Sequence, residues 1–218
     1  MKHEQTKKLA ILAMLCAIAY VIVALVRIPI VEFLKYEPKD VVITIGGFLY
    51  GPLSALLISL VVSFIEMLTV SSTGWIGLLM NVLSSVAFAC TASFIYKKKH
   101  TQIGAILGLV CGTILMTATM ILWNYLITPL YMETPRATVA TMLIPVFLPF
   151  NLLKSGLNSA ITLLLYKPLV QGLRKARLLP AQPATVCTPR KSKFFVAIGA
   201  VVLLITCILL TLFMRGVL

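Results

Sequence analysis

The chain has 218 residues, 60% of them hydrophobic and 11% charged, with a mean hydropathy of +1.04. A soluble domain with that balance would expose a continuous apolar surface, so a water-soluble protein is excluded. The net charge of +13 resembles a nucleic-acid signal, but the basic residues sit in alternate loops: Lys2, Lys7 and Lys8, then Lys97, Lys98 and Lys99, then Lys167 to Lys193. That is the positive-inside pattern of cytoplasmic loops, so the partner it implies is the lipid bilayer and not nucleic acid.

Apolar runs near the roughly 20 residues needed to cross a bilayer cover 9–26, 41–68, 76–96, 103–127, 139–166 and 194–214. The first follows Lys7 and Lys8, and Ala17-Ile18-Ala19 imitates a cleavage site, but the apolar stretch continues to Val26. It reads as a retained helix, with the N-terminus cytoplasmic. The 41–68 run is cut by Gly46-Gly47 and by Tyr50-Gly51-Pro52, which predicts a short second helix, a tight turn and a third helix. A short segment at membrane depth is tolerated where it packs in protein or lines a cavity. Ser71 to Gly74 is an uncharged turn before the fourth helix, which Lys97 to His100 closes. The fifth is expected to break at Thr128-Pro129, and the sixth to be irregular around Pro145 and Pro149. Residues 179–193, within a basic stretch with Pro180, Pro183 and Pro189, read as a cytoplasmic linker to a seventh span over 194–218.

Polar residues inside these spans are the candidate chemistry, because a charge at membrane depth costs about 2.5–3.5 kcal/mol or more. Lys154 lies within the sixth span, with Asn151 three residues before it and Asn158 four after, all on one helix face. Asn124 and Asn81 add amides in the fifth and fourth helices. Such amides serve equally as interhelical hydrogen bonds. Glu66 has three readings: a partner for Lys154, a ligand for a cation, or a charge at the outer interface. The last is favoured by its nearness to the Ser71 turn. Ala13 and Ala17 form a small-xxx-small pair that permits close helix approach. There is no phosphate-binding loop, no His-Glu-x-x-His and no nucleophile elbow, so nothing supports an enzyme, and the five cysteines show no metal or redox spacing.

The segments FLKYEPKDVVITIGGFLYGPLSALLISLVVSFIEML (33–68), LWNYLITPLYM (122–132) and LPFNLLKSGLN (148–158) resemble the substrate-binding S components of energy-coupling factor (ECF) vitamin transporters, most closely the riboflavin type. The resemblance covers about residues 5–178. It implies an all-α integral membrane protein: a six-helix S-component bundle over residues 1–178 in the cell membrane, to which the seventh span is an addition. It implies riboflavin as the transported ligand and no resident cofactor, bound from the outer side. It also implies a membrane-embedded coupling subunit and two ABC-type ATPases as the source of energy. Ala13 and Ala17 match the motif that packs on the coupling subunit, and the loop from Arg27 to Lys39 would cap the vitamin. Asn124, Asn151 and Lys154 match the flavin contacts, with Asn81 a further candidate and Trp123, Tyr125 and Tyr131 possible stacking partners. An S component for another vitamin such as thiamine, with Glu66 meeting the cation, and a non-transporting membrane scaffold are the alternatives.

Overall fold

A computed structural model describes residues 2–31, 34–71, 73–175, 199–201 and 203–208. The linker expected over 179–193 and most of the seventh span lie outside the described residues.

The first apolar run forms α1 (Lys2–Leu25), which buries Ile11, Leu15, Ala19 and Val23 along one stripe. The chain then extends into an antiparallel hairpin, β1 (Ile28–Val31) and β2 (Leu34–Tyr36), pairing Ile28 with Tyr36 and Pro29 with Lys35. Proline and two β-branched isoleucines favour this extended path over a helix. The hairpin is a small addition to an otherwise helical fold, in a loop where no strand was anticipated.

α2 (Lys39–Tyr50) is the short second helix expected from the glycines, and every residue from Lys39 through Phe48 is buried. Its twelve residues rise only about 18 Å, too little to span the membrane. Gly47 lets it sit this deep: a Cβ there would collide with the Ser93 hydroxyl and stand 2.9 Å from the Ala55 Cβ. Gly51 then turns the chain at φ +94°, a conformation that suits glycine, and Pro52 opens α3 (Pro52–Thr69).

α4 (Gly74–Ser85), a π turn over Val86–Cys90 and α5 (Thr91–Lys98) make one continuous span. α6 (Gln102–Tyr131) follows; α7 (Arg136–Met142), a π segment over Leu143–Phe147 and α8 (Leu148–Lys175) make another span. The irregularity expected around Pro145 and Pro149 is that π segment. The break expected at Thr128-Pro129 does not occur. α6 runs through Pro129 to Tyr131, and the Met132 N–H bonds the Thr128 carbonyl at 3.0 Å. A proline so close to a helix end removes one hydrogen bond without diverting the chain.

Five spans among the described residues are long and apolar enough to cross a bilayer, and α2 is enclosed between them as the sixth helix. Their outer faces carry exposed Leu57, Val61, Phe64, Val110 and Ile114, the inverse of a soluble surface. A further short helix, α9 (Gly199–Ile208), lies beside α8 and the hairpin, and its Cys207 shares a buried cluster with Ile30, Tyr36, Phe150, Leu153 and Leu157.

Candidate functional site

A cavity of about 150 Å³ opens above the N-terminus of α2. Asn81 from α4, Asn124 from α6, and Asn151 and Lys154 from α8 all line it, so the four residues selected as a substrate site meet in one place. Asn124, Asn151 and Lys154 are buried. The Asn124 and Asn151 amide groups donate to the Met120 and Phe147 carbonyls at 2.7 and 2.8 Å, which holds each side chain in a fixed rotamer. Their remaining hydrogen-bonding capacity is left for a ligand, except that Thr128 donates to the Asn124 amide oxygen at 2.9 Å. Asn158 lies on the same face of α8, but below the cavity and fully buried.

The stacking candidates need correction. Trp123, Tyr125 and Tyr131 do not line the cavity; its aromatic wall is Phe150, with Met80, Met120 and Leu34 as the other apolar surfaces. Tyr125 points outward, as an interfacial aromatic does.

Glu66 also departs from the favoured reading. It is not a solvent-facing charge but 3% exposed, and its carboxylate is held by Lys39 Nζ, by Arg27 Nη2 at 3.2 Å and by the Asn81 amide at 3.0 Å. Nor does it pair with Lys154, whose acidic neighbour is Asp40 at 3.9 Å. Glu37 completes the set, 3.1 Å from Arg27 Nε and 3.4 Å from Lys39 Nζ. Three cations (Arg27, Lys39 and Lys154) thus face three carboxylates (Glu37, Asp40 and Glu66) in one cluster. Such parity is what the low-dielectric interior demands, since an unpaired charge there is far more costly than a paired one.

Asp40 is wholly buried at the first turn of α2, where the helix N-terminus favours a negative charge. The Ser85 hydroxyl donates to its Oδ1, and the Asn158 amide donates to its Oδ2 at 3.4 Å. The Tyr36 hydroxyl in turn donates to the Asn158 amide oxygen at 3.0 Å. Burial, with the Asp40 carboxylate nearby, pushes the Tyr36 phenol above its ordinary range and keeps it a donor. In the sequence Lys39 falls at the end of the loop from Arg27, and Asp40 directly follows it. The signal available was Lys39-Asp40 placed directly before an apolar run too short to reach across the membrane.

The hairpin contributes Leu34 and Lys35 to the cavity wall. Far from the cavity, Ala13 and Ala17 lie exposed on the outer face of α1, opposite the buried Ile11–Leu15–Ala19 stripe. Among the described residues, no cluster of three or more His, Cys, Asp or Glu side chains is placed to bind a metal.

The profile of the family described as "ECF transporter, substrate-specific component" matches residues 7–166. The chain is 31% identical over 181 residues to the "Riboflavin transporter RibU" of Staphylococcus aureus (strain TCH60), covering 79% of this chain and 95% of that protein. It is 32% identical to the "Riboflavin transporter RibU" of Streptococcus thermophilus (strain ATCC BAA-250 / LMG 18311), covering 78% and 86%. It is 27% identical to the "Riboflavin transporter FmnP" of Bacillus subtilis (strain 168), covering 80% and 99%. The structure described as "Structure and mechanism of the S component of a bacterial ECF transporter" superposes with a TM-score of 0.66 at 30% identity, over 78% of this chain and 99% of that one.

Proposed function

This chain belongs to the family of ECF transporter substrate-specific components, and we propose that its substrate is riboflavin, captured from outside the cell. The observation that carries this reading is the convergence of Asn81, Asn124, Asn151 and Lys154 on one cavity whose apolar surfaces are Phe150, Met80, Met120 and Leu34. A flavin presents a flat apolar ring and a uracil-like edge of alternating acceptors and a donor. Asparagine amides offer both a donor and an acceptor to such an edge, lysine donates to a carbonyl, and an aromatic or thioether wall packs on the ring.

The thiamine alternative loses support at Glu66. Both cavity carboxylates, Glu37 and Glu66, are already engaged by Arg27 and Lys39, so a cationic vitamin meets no free counter-charge.

Energy would come from a membrane-embedded coupling subunit and ABC-type ATPases, with Ala13 and Ala17 on the coupling contact. Their exposure on α1 supports this. The basic segments around Lys7, Lys97 and Lys167 support a cytoplasmic N-terminus. Residues 1–178 form the binding unit, 179–193 the linker and 194–218 the appended span; the family match ending at residue 166 is consistent with that division.

The test is titration of purified protein with riboflavin, followed by quenching of flavin fluorescence, with thiamine as competitor. One-to-one binding unaffected by excess thiamine is expected. Lys154→Gln and Asn151→Ala should each weaken it about 10–100-fold, the loss of a buried, partly charge-assisted hydrogen bond. Parent affinity in both variants overturns the site assignment, and displacement by thiamine overturns the ligand.

A further inference from the structure

α9 lies outside the region matched by the family, yet it does not lie idle against lipid. Its buried Ala200 and Cys207 and its half-buried Leu204 are spaced i, i+4 and i+7 on one helix face. Val201, Leu203, Ile205 and Ile208 point outward. On α8 the receiving surface is Phe150, Leu153 and Leu157 with a notch at Gly156, where an added Cβ would stand 3.0 Å from the Cys207 sulfur. Small residues at such a crossing are what allow two helices to approach closely in a bilayer.

The same cluster contains Ile30 of β1 and Tyr36 of β2, with Leu34 packed against it. α9 therefore touches the strand that supplies Leu34 and Lys35 to the cavity. Tyr36 also leads inward: its hydroxyl holds Asn158, Asn158 holds Asp40, and Asp40 faces Lys154 in the cavity wall. We infer that α9 is a positioning element of the binding site, which by packing on Tyr36 and Ile30 holds the hairpin against α8 and so slows release of the bound flavin. Leu204 and Cys207 are its contact residues; neither lines the cavity. The effect on release rests on the riboflavin reading, whereas the placement of α9 does not.

The placement is tested in the full-length protein with Gly156→Cys. A distance of 3.0 Å from the residue-156 Cβ position to the Cys207 sulfur is that of a disulfide-bonded pair. Mild oxidation should join residues 156 and 207, seen by mass spectrometry as a tryptic peptide pair that separates on reduction. Flavin release is then followed by fluorescence after dilution, in the oxidised and reduced forms. The oxidised form should release about fivefold more slowly, since changes at one interface act mostly on dissociation. The double variant Leu204→Ala/Cys207→Ala should release about fivefold faster at unchanged one-to-one stoichiometry, and Leu204→Met, which keeps the volume, should stay at the parent rate. Failure of the 156–207 disulfide to form overturns the docking of α9. A disulfide that forms while release is the same in both forms overturns its role at the site. A protein that cross-links but binds no riboflavin overturns the ligand reading and leaves the docking established.

Discussion

Removing the Lys39 ammonium is the sharpest test of the buried ion cluster. Lys39 is completely buried, with Glu66 and Glu37 both on its amine. In Lys39→Met the three carboxylates keep only Arg27 and Lys154, so one negative charge at membrane depth is left without compensation. Stripping one partner from a buried pair costs about 3–5 kcal/mol. Arg27 and Asn81 still hold Glu66, so the lower figure, about 3 kcal/mol, is expected. For a chain of this length that lowers Tm by about 6–12 °C, read as thermal unfolding of the purified protein by intrinsic fluorescence. The double variant Lys39→Met/Glu66→Gln restores parity, with Arg27 facing Glu37 and Lys154 facing Asp40. It should therefore recover at least about 2 kcal/mol of the loss, a coupling that two independent sites would not show. If the single variant melts within about 2 °C of the parent, or the double variant is worse by the sum of both changes, charge parity does not hold the cluster together.

Three further outcomes follow from particular contacts. Gly47→Ala should lower stability by about 1–3 kcal/mol, measured as a Tm decrease, because the new methyl collides with the Ser93 hydroxyl and Ala55. Gly51→Ala should cost about 1–3 kcal/mol, because φ +94° with ψ 172° is a backbone region almost confined to glycine, with riboflavin affinity unchanged in the folded fraction. Ala13→Leu/Ala17→Leu should leave riboflavin binding intact while abolishing co-purification with the coupling subunit, since both side chains face away from the bundle.

How far the site could be read in the sequence depended on contrast. Lys154 and Asn151 stood out because polar residues three apart interrupt a long apolar stretch, and the helix period alone puts them on one face. The deep placement of α2 was legible too, from two adjacent glycines and the Gly-Pro turn. Lys39 and Asp40 were not legible as buried. Charges at the end of a span ordinarily reach the interface, and only a long-range event, the folding of the hairpin and α8 over them, removes them from water. Glu66 was misread for the same reason, since a position near a turn says nothing about Lys39 arriving from another helix. The aromatics failed differently. Trp123, Tyr125 and Tyr131 cluster at the end of one helix, where interfacial belts also occur, while the residue that lines the cavity, Phe150, has no sequence context to distinguish it from a core phenylalanine.

The short α2 explains why the cavity exists at all. Full spans surround it, and α2 fills only about 18 Å of a hydrocarbon thickness of about 30 Å, so roughly two-fifths of that thickness, above its N-terminus, is unoccupied by that helix. The chain fills this volume with the hairpin and with the side chains of Lys39, Asp40, Glu66 and Lys154 in place of about two further turns of α2. Had α2 begun at the membrane surface, Lys39 and Asp40 would lie in water and no cluster would be needed. Beginning deep, its first turn brings an ammonium and a carboxylate to membrane depth, and each must find an opposite charge on another element. Arg27 at the end of α1, Glu37 beside the hairpin, Glu66 on α3 and Lys154 on α8 supply those charges. The cluster thus ties together the elements that wall the cavity. Its own charges balance, so the cavity beside it offers a ligand hydrogen-bonding groups without an unpaired carboxylate, which suits a neutral ligand rich in such groups.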